Sequence, residues 1–262
     1  MDGNSRGRDN RREFNVLSHS KSEEISMRRQ FLSYFKNCPI PDDEILSNLG
    51  LFLNRQTLSR IIFMHELYKK IINIHGIILE FGVRWGQNPA LFSCFRGIYE
   101  PYNYNRKIVG FDTFEGYPET SITEKDGGGK VMKKGAYSVT ENYKEYLEGV
   151  LDYHEKESPI SHIKKYELIK GDAAEQIKKY LDRNPETIIA LAYFDLDLYL
   201  PTKKCLEAIT DYLTKGSVIG FDELNSHDFT GETLALKEVF GLRKYKIRRN
   251  PLNPLTSYIV IE

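Results

Sequence analysis

The sequence has little cysteine and no long hydrophobic run. Three cysteines lie far apart in the 262 residues, at Cys38, Cys94 and Cys205, and none belongs to a paired motif. This spacing excludes a disulfide framework and favours a reduced, cytoplasmic setting. No apolar stretch is long enough to span a bilayer, and the polar amino terminus lacks the apolar segment of a secretory signal. We therefore expect a cytoplasmic protein with no membrane partner.

An excess of charge of either sign is also absent. The 37 lysines and arginines balance 37 aspartates and glutamates, so the net charge is zero. This balance argues against broad electrostatic binding to nucleic acid or to anionic membranes. Hydrophobic residues make up 40% and charged residues 28%, as is usual for a globular protein. The length fits one large α/β domain with additions or two small domains.

The amino-terminal part of the chain is predicted to contain an arm and a helical segment. Residues 1–36 are polar and poor in aliphatic side chains, so we expect a flexible arm. Its arginines could reach a partner subunit or an anionic substrate, or could simply lie in solvent. Residues 37–75 form a helical segment, because a leucine and isoleucine stripe over 42–73 is typical of a helix. Residues 53–55 could line a cofactor or substrate site, or could serve only packing.

From residue 76 onward, short apolar stretches alternate with helical patterns. Such alternation is typical of parallel β-α-β units, which build a doubly wound sheet with helices on both faces. We therefore predict an α/β domain over 76–262 with a mostly parallel sheet, closed by an antiparallel hairpin around the turn at 250–254. The predicted strands are 76–82, 107–112, 166–172, 188–195 and 217–223, and the predicted helices are 88–97, 174–180, 202–213 and 233–240.

One connection is much longer than the others. Residues 113–163 separate the second and third strands, and they include three consecutive glycines at 127–129 and a helical pattern near 140–155. Long insertions in compact domains are usually functional or disordered. Glycines supply the flexible backbone of a hinge, so we predict that this insertion acts as a lid over the binding crevice.

Four acidic residues lie at the ends of the last two strands of the alternating pattern. Asp195 and Asp197 lie at the end of the fourth predicted strand, and Asp222 and Glu223 lie at the end of the fifth. The carboxyl ends of parallel strands line the binding crevice of an open sheet, so these side chains are expected to meet there. Clustered carboxylates need a cation or protons, and Mg²⁺ prefers oxygen ligands. We expect a magnesium site, although one or two of the acids could instead cap helices or form salt bridges.

A glycine turn upstream suggests a cofactor site. Gly82 and Gly86 follow the first strand in EFGVRWG, and Glu80 places a carboxylate near the strand end. Asp112 ends the second strand, where an acid can accept hydrogen bonds from ribose hydroxyls. Asp172 follows the third strand and could accept from an exocyclic amine such as that of adenine. The glycines could instead only make a tight turn and the aspartates could be helix N-caps, but together they favour a cofactor-dependent transferase.

In combination, these motifs resemble the macrocin-type O-methyltransferases of antibiotic sugar biosynthesis. EFGVRWG, GFDTFEG and GDAAE look like cofactor motifs of that family, FDLDLY and FDE look like its acidic segments, and the resemblance extends over residues 45–262. LNRQ-x-LSR and HELY near its start resemble a subgroup that acts on nucleotide-linked 6-deoxysugars. The resemblance implies a Rossmann-like class I methyltransferase that uses S-adenosylmethionine and Mg²⁺ to methylate a sugar hydroxyl. We also expect a homo-oligomer.

The resemblance implies a role for individual residues as well. Asp195, Asp222 and Glu223 would hold the metal, and Asp197 would act as the general base. The family often has two aspartates where this chain has Asp222 and Glu223, so the longer glutamate is a departure from its pattern. The implied cofactor-binding residues are Glu80, Gly82, Arg84, Gly86, Asp112, Asp172, Ala173 and Asp195.

Three other functions are compatible with parts of the pattern. An NAD-dependent sugar-nucleotide oxidoreductase could use Asp112 for the nicotinamide ribose, but the chain lacks G-x-G-x-x-G after the first strand and has an acid-rich crevice. A non-catalytic scaffold could keep the fold, although the carboxylates at both strand ends argue against it. A catechol-type O-methyltransferase shares the metal chemistry and differs in its acceptor.

Overall fold

The computed structural model describes residues 18–127 and 129–262, and these contain one seven-stranded sheet. The strands are β1 Ile77–Phe81, β2 Ile108–Asp112, β3 Tyr166–Lys170, β4 Ile189–Phe194, β5 Leu213–Phe221, β6 Arg248–Arg249 and β7 Ser257–Val260. Their order is β3-β2-β1-β4-β5-β7-β6. The first five strands run parallel, and β7 pairs antiparallel with both β5 and β6. The doubly wound sheet with a closing antiparallel hairpin is therefore confirmed.

Helices cover both faces of this sheet. The helices of one face are α3 Arg55–Ile71, α4 Gln87–Tyr99 and α5 Tyr143–Lys156, and those of the other face are α6 Ala173–Arg183, α7 Tyr199–Ile209 and α8 Gly231–Val239. Alternate strand residues supply the two cores. In β1, Leu79 and Phe81 pack under α6 to α8, whereas Ile78 packs under α3 to α5. Burial on both faces is why these strands read as continuous apolar runs rather than alternating ones.

The amino-terminal segment lies outside both cores. Helix α1 spans Ser22–Lys36, helix α2 spans Asp42–Ile45 and a 3₁₀ helix spans Leu46–Phe52, and none of them contains a buried residue. The first seventeen residues of the predicted arm lie outside the described residues. The single helix expected over 42–73 is interrupted, because Leu53 is extended and the Asn54 side chain accepts a hydrogen bond from Thr57 N at 2.9 Å, which caps a new helix.

The long insertion has two structurally different halves. Its second half is the crossover helix α5, which packs on α4 beside β3. Its first half is irregular and is tied to the carboxyl edge of the sheet through Asp126, which is fully buried. The Asp126 side chain accepts a hydrogen bond from Tyr199 N at 2.5 Å, and its carbonyl oxygen accepts one from Thr230 N at 3.3 Å. The predicted lid movement therefore concerns this first half, and it stays a prediction.

A search of the described residues for membrane spans found no helix with the length and apolar character that crossing a bilayer requires.

Candidate active site

The strand order creates a crevice between β1 and β4. The chain proceeds from β1 towards β2 and from β4 towards β5, so the loops after these neighbouring strands diverge, as they do at ligand sites of open α/β sheets. Asp195 N donates to Phe81 O at 2.8 Å, so the two loops begin side by side. Gly82 has a φ of +91°, and a Cβ there would lie 1.9 Å from the carbonyl oxygen of Asp195. Only glycine fits at this position.

A cavity of about 350 Å³ opens at this edge of the sheet. The structure brings the predicted cofactor-binding, metal-binding and catalytic residues to its lining, which supports one common site, whereas residues 53–55 are not among the lining residues. Their separate roles in binding remain predictions. The lining includes Glu80, Gly82, Arg84, Gly86, Asp112, Asp172, Ala173, Asp195, Asp197, Asp222 and Glu223.

Two of the aspartates also organise the backbone around the cavity. Asp112 accepts hydrogen bonds from Arg84 N at 2.8 Å and Phe114 N at 2.5 Å, and burial raises its pKa despite these bonds. Asp172 is the N-cap of α6, where it accepts from Ala174 N at 2.9 Å. Its other oxygen accepts from the Ser121 hydroxyl at 3.1 Å. The N-cap interpretation is thus right for Asp172, while lone pairs remain on both carboxylates for a ligand.

Glu80 has an uncommitted buried oxygen. The side chain is 1% exposed, and Asn88 Nδ2 donates to its Oε1 at 2.7 Å. Its Oε2 has no hydrogen-bond partner among the described residues, and burial raises the pKa of the carboxyl well above its usual value. An unsatisfied buried carboxylate oxygen is costly without a donor. A ligand hydroxyl or ammonium in the cavity would supply that donor.

Arg60 joins the two acidic loops, and its role was not predicted from the sequence. It extends from α3 and donates to Asp195 Oδ2 at 2.7 Å and to Asp222 Oδ1 at 2.6 Å. Asp222 Oδ1 also accepts from the Tyr193 hydroxyl at 2.6 Å. Arg60 is the last residue of the motif LNRQ-x-LSR, so the sequence marks this residue but does not indicate what it contacts. Its partners lie 135 and 162 residues away, which no local pattern reveals.

Asp197 lies in a second group of contacts. Its Oδ2 accepts a hydrogen bond from the hydroxyl of Tyr117, a residue of the insertion that sequence reasoning also missed. Its φ is +61°, an uncommon conformation for a residue other than glycine, and it turns this carboxylate away from the strand direction. Beyond the effect of burial, the Glu223 carboxyl lies close enough for the charge of Asp197 to raise its pKa. The predicted base thus contacts the insertion and lies near the next acidic loop.

Glu232 holds the two acidic loops at a fixed spacing. It lies in the first turn of α8, is fully buried, and was also missed. Its Oε1 accepts from Leu196 N at 3.2 Å and its Oε2 accepts from Glu223 N at 3.1 Å. The neighbouring Gly231 allows this approach, since a Cβ there would lie 2.3 Å from the carbonyl oxygen of Asp197. Each oxygen therefore positions the backbone of one loop.

The cluster contains more carboxylates than nearby cations can balance. Burial and then the charge of Asp222 raise the pKa of Asp195 to about 8. Burial and then the charge of Asp197 raise the pKa of Glu223 to about 11. Carboxylates at this density hold either protons or a cation.

The donor chemistry of this cluster fits a hard divalent cation. All its side-chain donors are carboxylate oxygens, and Glu223 Oε2 is buried without a hydrogen-bond partner in the described chain. The described histidine, cysteine and acidic side chains nevertheless include no group of three arranged as a metal site. The guanidinium of Arg60 forms ion pairs with both Asp195 and Asp222, so these two carboxylates are oriented towards Arg60 rather than towards a shared metal position. A cation bound to those carboxylates would have to share or displace these contacts.

The fold and this crevice define the class of protein. A parallel sheet of order 3-2-1-4-5 that ends in an antiparallel hairpin, with a glycine turn after β1 and acids after β4 and β5, is a Rossmann-like class I methyltransferase. The O-methyltransferase NovP shares this fold at 16% identity, with a TM-score of 0.55 over 78% of this chain and 79% of that one.

Closer relatives among the solved structures identify the family. The crystal structure of CalS11, a calicheamicin methyltransferase, is 41% identical over 95% of this chain and 96% of that one, with a TM-score of 0.89. The apo structure of CalS11, described as a TDP-rhamnose 3'-O-methyltransferase of calicheamicin biosynthesis, is 40% identical over 93% and 96% of the two chains, with a TM-score of 0.81. Comparison with models of protein families gave no match, and neither did comparison with curated proteins. The chain belongs to the family of S-adenosylmethionine-dependent O-methyltransferases that includes CalS11.

This membership decides among the functions left open by the sequence. The predicted enzyme class and the resemblance to sugar O-methyltransferases are confirmed. The NAD-dependent oxidoreductase and the non-catalytic scaffold are therefore set aside.

Proposed function

We propose that this protein methylates a hydroxyl of a nucleotide-linked 6-deoxysugar and that TDP-rhamnose is the first acceptor to test. The observation that carries this proposal is the acidic cluster after β4 and β5, which adjoins the cofactor side of one cavity. The TDP-rhamnose activity of CalS11, at 40% identity, supports the choice of acceptor. A cytoplasmic location stays a prediction from the cysteine pattern.

The cofactor side of the cavity suits S-adenosylmethionine. Asp112 has lone pairs left to accept from ribose hydroxyls, and Glu80 Oε2 needs a donor that a ligand can provide. Gly82 has no side chain to occupy the crevice, and a Cβ at this position would clash with the carbonyl oxygen of Asp195. Asp172 and Ala173 at the start of α6 line the end nearest β3. When bound, the cofactor supplies a sulfonium methyl group.

The acceptor side suits Mg²⁺ held by Asp195, Asp222 and Glu223. When bound there, the ion would lower the pKa of the acceptor hydroxyl and fix its position. Asp197 would act as the general base that takes the proton from this hydroxyl. The Tyr117 hydroxyl donates to Asp197 Oδ2 and thereby orients the carboxylate.

Methyl transfer to TDP-rhamnose, followed by mass spectrometry, tests the proposal. The product should be heavier by one methyl group when S-adenosylmethionine and Mg²⁺ are both present, and EDTA should abolish turnover while cofactor binding persists. Turnover that persists undiminished in EDTA would remove the metal from the mechanism. A panel of other nucleotide sugars and simple catechols distinguishes a different acceptor from an inactive preparation.

The roles of Asp197 and Asp195 can be separated by a matched pair of variants. Asp197→Asn should keep cofactor and metal binding but lose about 10²–10⁴-fold in kcat, since it removes a general base. Asp195→Asn should instead weaken the binding of Mg²⁺, because it removes a charged ligand from a hard cation. A high concentration of Mg²⁺ should therefore partly restore the activity of this variant. If high Mg²⁺ restores only Asp197→Asn, the two roles are exchanged.

A further inference from the structure

A second cavity lies beside the first at the same edge of the sheet. It encloses about 270 Å³ between the first two turns of α3 and the turn that joins β6 to β7. Thr57, Arg60 and Phe63 line it from the α3 side, and Asn253 and Thr256 line it from the turn. The Ser59 hydroxyl donates to Leu252 O at 3.2 Å, so helix and turn are joined at this point.

Two residues belong to both cavities. Arg60 and Gln87 line each of them. Arg60 also contacts Asp195 and Asp222, so the second cavity begins where the acidic cluster ends. Gln56, which also lines the second cavity, lies four residues before Arg60 on α3, a separation of about 6 Å along the helix axis. A molecule held at the acids therefore reaches the second cavity by passing Arg60.

The lining of the second cavity is polar but almost uncharged. Arg60 is the only charged side chain among its described lining residues, and two carboxylates already balance it. Amides and hydroxyls supply the other polar groups. Asn253 uses its Oδ1 to accept from Leu255 N at 2.9 Å, which leaves its Nδ2 donor without a partner in the described chain. The Gln87 amide likewise makes no hydrogen bond with any described residue.

These groups match the chemistry of a pyrimidine base. The imide edge of thymine presents an acceptor, a donor and a second acceptor, and side-chain amides can complement all three. An uncharged lining suits a base better than it suits a phosphate.

The volume of the first cavity also suggests that the sugar and the nucleoside of the acceptor bind in different cavities. The first cavity, at about 350 Å³, lies near the lower limit for ligand pockets, yet it has to hold the cofactor and the sugar ring. Its lining consists largely of the predicted cofactor-binding, metal-binding and catalytic residues, so the carrier of a nucleotide sugar is expected to extend beyond it. We propose that the second cavity binds the pyrimidine nucleoside of the acceptor's carrier, beside Asn253 and Gln87. This inference rests on the proposed function, because it assumes a nucleotide-linked sugar.

Calorimetric titration with TDP and thymidine, in the absence of sugar, tests the subsite directly. Asn253→Asp retains the oxygen that accepts from Leu255 N but replaces the free donor with an acceptor, so the turn should stay folded. Gln87→Glu makes the same exchange at the shared wall. Each variant should weaken TDP binding by about tenfold and raise KM for TDP-rhamnose by a similar factor, with a much smaller change in kcat. Asn105→Asp, in an exposed loop before β2 at the opposite edge, is the matched control and should change neither.

Three results have different meanings. If TDP-rhamnose is methylated but both subsite variants bind TDP as the parent does, the subsite is wrong and the proposed function stands. If Lys133→Ala and Lys134→Ala, in the insertion on the other side of the site, weaken TDP and the subsite variants do not, the carrier lies there instead. If TDP-rhamnose is not methylated and neither TDP nor thymidine binds, both proposals fail.

Discussion

Arg60 balances the charge of the acidic cluster at the level of a single side chain. It reaches from α3 to both acidic loops, and its guanidinium contacts Asp195 and Asp222 within 2.7 Å. Although burial lowers the pKa of Arg60, the neighbouring Asp222, Tyr193 and Asp195 raise it further, so the group stays charged. A divalent cation on the same carboxylates would perform the same balancing. Arg60 and the proposed Mg²⁺ are therefore expected to compete.

The variant Arg60→Met tests this competition. Without metal, it should lower the free energy of unfolding by about 2–3 kcal/mol, somewhat below the range for a fully buried pair because the guanidinium is partly exposed. Mg²⁺ should restore much of this loss, since an ion that binds only the folded state stabilises it. Urea unfolding in EDTA and in Mg²⁺ measures both effects, and Arg60→Lys is the control that keeps the charge. An equal loss in both solutions would make Arg60 purely structural and exclude an ion at these carboxylates.

At the level of elements, the first half of the insertion is the part that contacts the site. Tyr117 reaches Asp197, whereas Asp126 anchors the same segment to the start of α7 and to the loop before α8. The glycine at 127 forms a single antiparallel bridge with Phe229. Of the described residues of this segment, only Phe114 and Val139 belong to the two large cores, and none lies in an α-helix or a strand of the sheet, so local opening should cost less there than in α5.

Hydrogen exchange measured by mass spectrometry can follow this difference. Residues 113–142 should exchange quickly in the free protein and become protected when cofactor and acceptor are both bound. Helix α5, Tyr143–Lys156, is the internal control and should exchange slowly in either state, because Leu147 and Leu151 are buried in the core. Asp126→Asn should accelerate exchange in the first half alone. Slow exchange throughout 113–163, unchanged by ligands, would make the whole insertion a fixed part of the fold.

Short-range patterns predicted the elements of the parallel sheet because their signals are local. The predicted strand 107–112 and the observed Ile108–Asp112 differ by one residue, since an apolar run buried on both faces has sharp limits. The acids after β4 and β5 were found for the same reason. Arg60 and Tyr117 were not, because their partners lie at least 80 residues away, and Glu232 was not, because one of its two partners lies 36 residues away. Helix α1 was missed because its apolar side chains are not buried.

At the scale of the whole molecule, the amino-terminal segment exposes an unusual amount of apolar surface. Met27 and Leu46 are 64% and 73% exposed, and Phe31 and Phe35 remain 38% and 41% exposed although their rings contact Phe52. An isolated helix of 15 residues is marginal in water, and no residue of this one is buried or belongs to either core. A second copy of the chain would cover these side chains, in agreement with the homo-oligomer expected from the sequence.

Light scattering coupled to size-exclusion chromatography measures the oligomer. The protein should elute with at least twice the mass of one chain, because contiguous exposed apolar surface of this kind usually marks an interface. Leu32→Glu places a charge on the exposed face of α1 and should shift the mass towards that of one chain, with a lower unfolding midpoint. Tyr102→Glu introduces the same charge at a side chain that is 72% exposed on a loop far from α1 in the sequence, so it should leave the mass unchanged. A parent protein that is monomeric at micromolar concentration would show that α1 is stable without a partner. A monomeric protein would also mean that the apolar face of α1 contacts other parts of the same chain rather than a second copy.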